Sequence, residues 1–112
     1  MSHTDALGEF EQMLLLAIVH LGEKAYGVAI RQEIERRTDR ELAVGALYTS
    51  LGRLDRKGFV RSTMADPTPE RGGRSRRYFV LRPDGASALR QSRARLDRMW
   101  AGLSPDLRRT RS

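Results

Sequence analysis

The segment from Val44 to Leu81 leaves few folds open to this chain. It opens with a helical apolar pattern. Stepping residues by about 100° puts Leu47, Leu51 and Leu54 on one side with Val44, and Ala46, Thr49, Arg53 and Arg56 on the other. Gly58 stands where the chain must turn left-handed to leave that helix. Phe59–Ala65 and Arg76–Arg82 follow, rich in Val, Phe, Tyr and Thr, the composition of strands. Between them, Asp66 to Ser75 carries Pro67, Pro69 and the Gly72-Gly73 pair, which is loop chemistry. A helix tied in this way to a hairpin presents its outer face beside a long loop.

The remaining sequence supplies helices. Phe10, Met13, Leu14, Ala17, Ile18 and Leu21 recur at helical spacing, and Gly22 ends the pattern. Leu15, Leu16 and Val19 fall outside that stripe, so the first helix is apolar nearly all round and calls for a second covering surface. A second helix begins near Gly27, with Val28, Ala29, Ile30 and Ile34 expected to supply apolar contacts and Arg31, Gln32, Glu33, Glu35, Arg36 and Arg37 expected in water. Pro83 opens a fourth, where its missing N–H costs nothing. There Leu89, Leu96 and Leu103 fall at heptad spacing, with Met99 and Trp100 in the same seam. The expected fold is mostly α with a small antiparallel β-hairpin.

Charge is distributed unevenly. Of a formal net charge of +7, residues 1–40 contribute −2, residues 41–82 contribute +5 and residues 83–112 contribute +4. Clustered arginines neutralise phosphates and release counterions, although a solvated basic surface would carry the same charge. On the third helix Thr49 and Arg53 lie about one turn apart, framed by the small residues Gly45 and Ala46. Arg suits guanine edges or phosphate, and Thr suits a thymine methyl or phosphate, yet an ordinary exposed helix face looks the same. The loop adds what the helix lacks. Arg71, Arg74, Arg76 and Arg77 surround Gly72-Gly73, a cationic tip able to track a phosphate backbone or enter a minor groove. Helix, hairpin and basic tip in this order favour duplex-DNA binding.

Other classes fare worse. At 112 residues the chain is one domain, too small for a catalytic cleft of its own. Its histidines are His3 and His20, and Glu9/Glu11 and Glu33/Glu35 sit at a spacing that diverges on a helix. No zinc spacing, phosphate loop or nucleophile with its base is present, so neither enzyme nor cofactor is expected. His20 is expected to meet the carbonyls at the end of its helix. The absence of cysteine fits a reducing compartment. Met13–Val19 is far short of a membrane span, and Met-Ser-His-Thr-Asp lacks the basic start of a signal peptide. A cytoplasmic protein with no membrane partner is expected. The rival is a module that binds protein or RNA, with Tyr26, Tyr48 and Tyr78 as its only tyrosine platforms for single strands.

Five ordered motifs carry a family likeness: Ala25-Tyr26-Gly27-Val28-Ala29-Ile30, the run Val44 to Leu54, Lys57-Gly58-Phe59-Val60, Glu70-Arg71-Gly72-Gly73-Arg74, and Arg77 to Gly85. With them the chain resembles PadR-family transcriptional regulators of the short type. The resemblance implies a winged helix-turn-helix domain at 8–82 and a C-terminal dimerisation helix at 83–103; the polar, basic residues 104–112 are expected to be a disordered tail. It implies a homodimer in which the fourth helix packs on the partner's first. Leu15, Leu16, Val19, Leu89, Leu96, Met99, Trp100 and Leu103 would then form the interface. Ala46, Tyr48, Thr49, Arg53 and Lys57 would belong to the recognition helix and its end. Arg71, Gly73, Arg74 and Arg76 would belong to the wing, and Tyr26 would lie near the DNA backbone. The implied activity is repression at an inverted-repeat operator, and a small aromatic effector could stack on Trp100. Three residues depart from the family pattern: Ala43 and Arg82 replace helix-capping Ser or Thr, and Gly52 interrupts the recognition helix.

Overall fold

The computed structural model describes residues 7–65 and 76–107. In chain order these form α1 (Glu9–Leu21), a 3-10 turn (Gly22–Lys24), α2 (Gly27–Thr38), α3 (Val44–Arg56), β1 (Val60–Ala65), β2 (Arg76–Leu81) and α4 (Pro83–Trp100). The strands pair antiparallel, from Val60 opposite Leu81 to Ala65 opposite Arg76. At the hairpin's base the Arg82 N–H donates to the Phe59 carbonyl at 2.9 Å. The free edge of β2 takes a further rung. Tyr26 bridges Tyr78, and the Phe79 N–H donates to the Ala25 carbonyl at 2.8 Å, stitching the chain ahead of α2 to the hairpin.

Each element closes on one core because each carries one apolar stripe at its own period. Helix α3 buries Leu47, Ser50, Leu51 and Leu54. They pack with Leu14, Leu15 and Ile18 of α1, Ile30 and Ile34 of α2, Phe59, Val60 and Phe79 of the hairpin, and Ala88 of α4. Val44, expected beside the leucines, is half exposed because it sits at the open first turn of α3. Gly58 leaves α3 at φ 80°, and the Phe59 N–H returns to the Leu54 carbonyl at 3.0 Å, as the glycine implied.

Three sequence expectations need correction. Leu15, assigned to the dimer face, is fully buried within the single chain. Helix α1 packs against the hairpin and α4 as well as α2 and α3, so the uncovered arc of α1 narrows to Leu16 and Val19. Glu33, expected in water, lies on the same stripe as Ile30 and Ile34 and is buried beneath Arg36 and Arg37, both of which donate to its carboxylate. Those two hydrogen bonds, Arg37 first, hold its pKa below the ordinary carboxylate value. His20 meets Arg37 rather than carbonyls, with its Nδ1 3.4 Å from an Arg37 guanidinium nitrogen.

Gly85 seats α4 on the hairpin. A Cβ there would stand 2.3 Å from the Phe59 carbonyl oxygen, so no other residue allows this approach. Gly85, Ala88 and Ser92 form the buried stripe of α4, and every residue from Arg93 to Trp100 is exposed. The distal half of α4 therefore stands off the domain without cover.

Candidate nucleic-acid interface

Burying Leu47, Ser50, Leu51 and Leu54 turns the opposite arc of α3 outward. On 100° steps Gly45, Thr49, Gly52 and Arg56 lie at the centre of that arc, with Ala46 and Arg53 on one flank and Tyr48 on the other. Thr49, Arg53, Arg56, Gly45 and Ala46 are all exposed. Gly45 has no neighbour within 4 Å of a notional Cβ, so packing within the chain does not demand a glycine there. At Gly52 the nearest atom would be an Arg56 guanidinium nitrogen at 3.5 Å, an ordinary contact. Two bare backbone positions on one outward stripe permit close approach of a large partner. Helix α3 starts at Ala43 with no side-chain cap, as the departure at this position implies.

Two interactions fix the attitude of this helix. The Leu42 N–H donates to a Glu35 carboxylate oxygen at 2.8 Å, anchoring the turn between α2 and α3. The Ser62 hydroxyl donates to Asp55 at 3.3 Å, tying the hairpin to the end of α3 and occupying a carboxylate on the helix flank. Sequence reasoning missed both, since each joins residues across a loop with no periodic signal.

The cations fall into two populations. Arg31 pairs with Glu35, Arg36 and Arg37 with Glu33, Arg40 with Glu9, and Lys57 with Glu11. Among the described residues no ion pair engages Arg53, Arg56, Arg61, Arg76 or Arg77. Paired charges have small residual fields, so α3 and the hairpin keep an unneutralised positive surface, as does α4, where Arg93 pairs with Asp97 but Arg90, Arg95 and Arg98 have no ion pair among the described residues. Lys57, expected among the DNA contacts, is engaged within the chain instead of standing unneutralised. Its ammonium is 3.2 Å from Glu11 and 5.8 Å from the centre of the Phe59 ring, where it joins α1 to the end of α3.

Near the root of the wing, Tyr26 and Tyr78 meet edge to face with ring centres 5.6 Å apart. The Arg76 guanidinium lies over the Tyr26 ring, 3.8 Å from its centre, so this expected DNA contact is half-buried and already stacked. Tyr48 lies across the start of α2, its hydroxyl 1.9 Å from where a Gly27 Cβ would be, which explains the glycine after Tyr26. Arg71, Gly73 and Arg74 lie outside the described residues.

The sequence profile of the transcriptional regulator PadR-like family matches residues 15–91. The chain belongs to the PadR-like family. No curated protein sequence matches it. A PadR family transcriptional regulator from Eggerthella lenta superposes with a TM-score of 0.67 at 22% identity, over 91% of this chain and 88% of that one. A transcriptional regulator from Clostridium thermocellum gives 0.67 at 22% identity, over 80% and 84%. The complex structure of hsRosR-SG gives 0.71 at 24% identity, over 96% and 87%. The fold of this PadR-like chain is thus the winged helix, and its family and structural neighbours are transcriptional regulators rather than enzymes. No described helix is long and apolar enough to cross a membrane, and no described residues group as metal ligands.

A second surface of the PadR-like chain runs between α1 and α4. It is a groove of about 530 Å³ bordered by Leu16, Val19, Leu89, Leu96 and Trp100 among others. Leu16, Val19, Leu96, Met99 and Trp100 are between 44% and 75% exposed and form one apolar patch on the surface of the chain. Leu103 does not continue the seam in helical register. Helix α4 ends at Trp100, and Gly102 turns the chain at φ 83°.

Proposed function

We propose that this PadR-like chain is a homodimeric repressor that binds an inverted-repeat operator in duplex DNA. The observation that carries the reading is the outward arc of α3: small residues at Gly45, Ala46 and Gly52, Thr49 beside them, and Arg53 and Arg56 unneutralised. That arc is convex, cationic and slim enough for a major groove, while the cations facing elsewhere on α2 are occupied by carboxylates. Thr49 and Arg53 supply base contacts, and the wing arginines supply phosphate contacts that add affinity with little sequence preference. The uncovered half of α4 and the Leu16/Val19 arc of α1 supply the dimer seam. Two recognition helices would then enter successive major grooves about 10 bp apart. In such a dimer the groove beside Trp100 is where a small aromatic effector would stack. Its place of action is the cytoplasm, where the operator lies.

The test is fluorescence anisotropy on a duplex from the protein's own upstream region, against a random duplex and the separated strands. Saturable binding that prefers the upstream duplex and weakens steeply with salt is expected. Arg53→Ala should erase most of that preference. Leu96→Glu should give monomers in sedimentation and weak operator binding. Equal affinity for all three nucleic acids would refute the reading and favour a protein- or RNA-binding module.

A further inference from the structure

The wing root carries two adjacent arginines, and strand geometry sends them to opposite sides. Successive side chains along β2 alternate between faces. Phe79 marks the inner face, since it is buried in the core. Its cross-strand partner Ser62 marks the same face, and its hydroxyl reaches Asp55 of α3. Arg77 is two residues from Phe79 and lies opposite Met64, itself two residues from Ser62, so it belongs to the face that looks toward α3. Arg77 is exposed there, past the end of the buried stripe. Arg76 belongs with Tyr78 on the reverse face, where Tyr26 joins them through the extra rung on β2.

We propose that these two arginines act differently, with Arg77 contacting a DNA phosphate and Arg76 serving as a positioning residue. The guanidinium of Arg76, stacked on Tyr26, clamps the root of the wing to the start of α2, so the wing and the recognition helix keep a fixed relation. Arg77 extends the cationic surface of Arg53 and Arg56 on the α3 side of the hairpin. A charge on the α3 side meets the duplex that α3 enters, whereas a charge on the reverse face, already over an aromatic ring, does not. The inference rests on the DNA-binding reading above and refines which wing side chain touches the duplex.

The experiment is the salt dependence of anisotropy for the full chain on upstream and random duplexes. Each lost phosphate contact lowers the slope of log K against log salt by roughly 0.9 per subunit bound. Arg77→Gln should lower the slope by that amount on both duplexes, and Arg77→Lys should restore it. Arg76→Gln should weaken binding with the slope unchanged. Tyr26→Leu should do the same, and the double variant should bind no more weakly than the worse single one. Arg76→Lys and Tyr26→Phe, which keep a cation over a ring, should bind as the parent does, which gives a reading even where Arg76→Gln unfolds. A slope that falls for Arg76→Gln and not for Arg77→Gln overturns the assignment, as do additive losses at Tyr26 and Arg76. Absence of salt-dependent duplex binding by the parent protein would instead overturn the DNA reading itself, and the assignment with it.

Discussion

Replacing Gly85 by alanine adds one methyl group where, among the described glycines, backbone stands nearest. Its Cβ would stand 2.3 Å from the Phe59 carbonyl oxygen, 3.1 Å from that carbonyl's carbon and 2.8 Å from Leu81 Cδ1. The leucine can rotate, but the carbonyl is backbone and already accepts from the Arg82 N–H at 2.9 Å. Relief therefore requires the start of α4 to withdraw by about 1 Å, since unstrained carbon contacts begin near 3.5 Å. Overpacking of this kind costs about 1–3 kcal/mol, and a stretched hydrogen bond about 1 kcal/mol more. Against this, alanine gains at most about 1 kcal/mol over glycine in a helix. The net loss is roughly 1–3 kcal/mol, which lowers Tm by about 5–20 °C in a domain of this size. Thermal and urea unfolding should be compared at one protein concentration, because the proposed dimer would make Tm concentration-dependent. A Gly85→Ala protein as stable as the parent would refute the claim that α4 is seated by this contact.

Three further outcomes are expected. Gly52→Ala should stabilise the fold by about 1 kcal/mol, since its methyl meets only the end of Arg56; weaker operator binding by the stabilised protein would show that the glycine serves DNA approach, and a destabilised variant would contradict the ordinary contact seen there. Glu33→Gln should be less stable than the parent at neutral pH, because Arg37 and Arg36 lower the Glu33 pKa on folding. That advantage is full above the ordinary value of 4.5 and is lost as pH falls through the lowered value, so the two denaturation curves should converge in acid; a gap that persists at the lowest pH would exclude the carboxylate as its source. Lys57→Met should cost about 1 kcal/mol of stability through loss of the partly buried Glu11 pair. The salt slope of DNA binding should not change in that variant, and a shallower slope would return Lys57 to the phosphate contacts.

Much of this was legible in the sequence because it depends on local rules. Periodicity alone placed Leu47, Leu51 and Leu54 inward and thereby turned Thr49, Arg53 and Arg56 outward. Gly58, Pro83 and the two β-rich runs set the helix ends and the hairpin, since left-handed turns, missing N–H groups and β-branching act within a few residues. What the sequence could not decide was which of several equivalent side chains meets which neighbour. Leu15 and Val19 both lie outside the main stripe of α1, yet one is sealed in the core while the other stays bare. Lys57 and Arg53 are both cations near the end of α3, but only Lys57 comes within reach of Glu11, far away in the chain. Arg76 and Arg77 are neighbours of identical chemistry, separated only by a strand register that sends one onto Tyr26 and the other to the side of α3. Charge and polarity are properties of residues, but neutralisation, burial and facing are properties of pairs that the tertiary fold brings together, and there the structure decided.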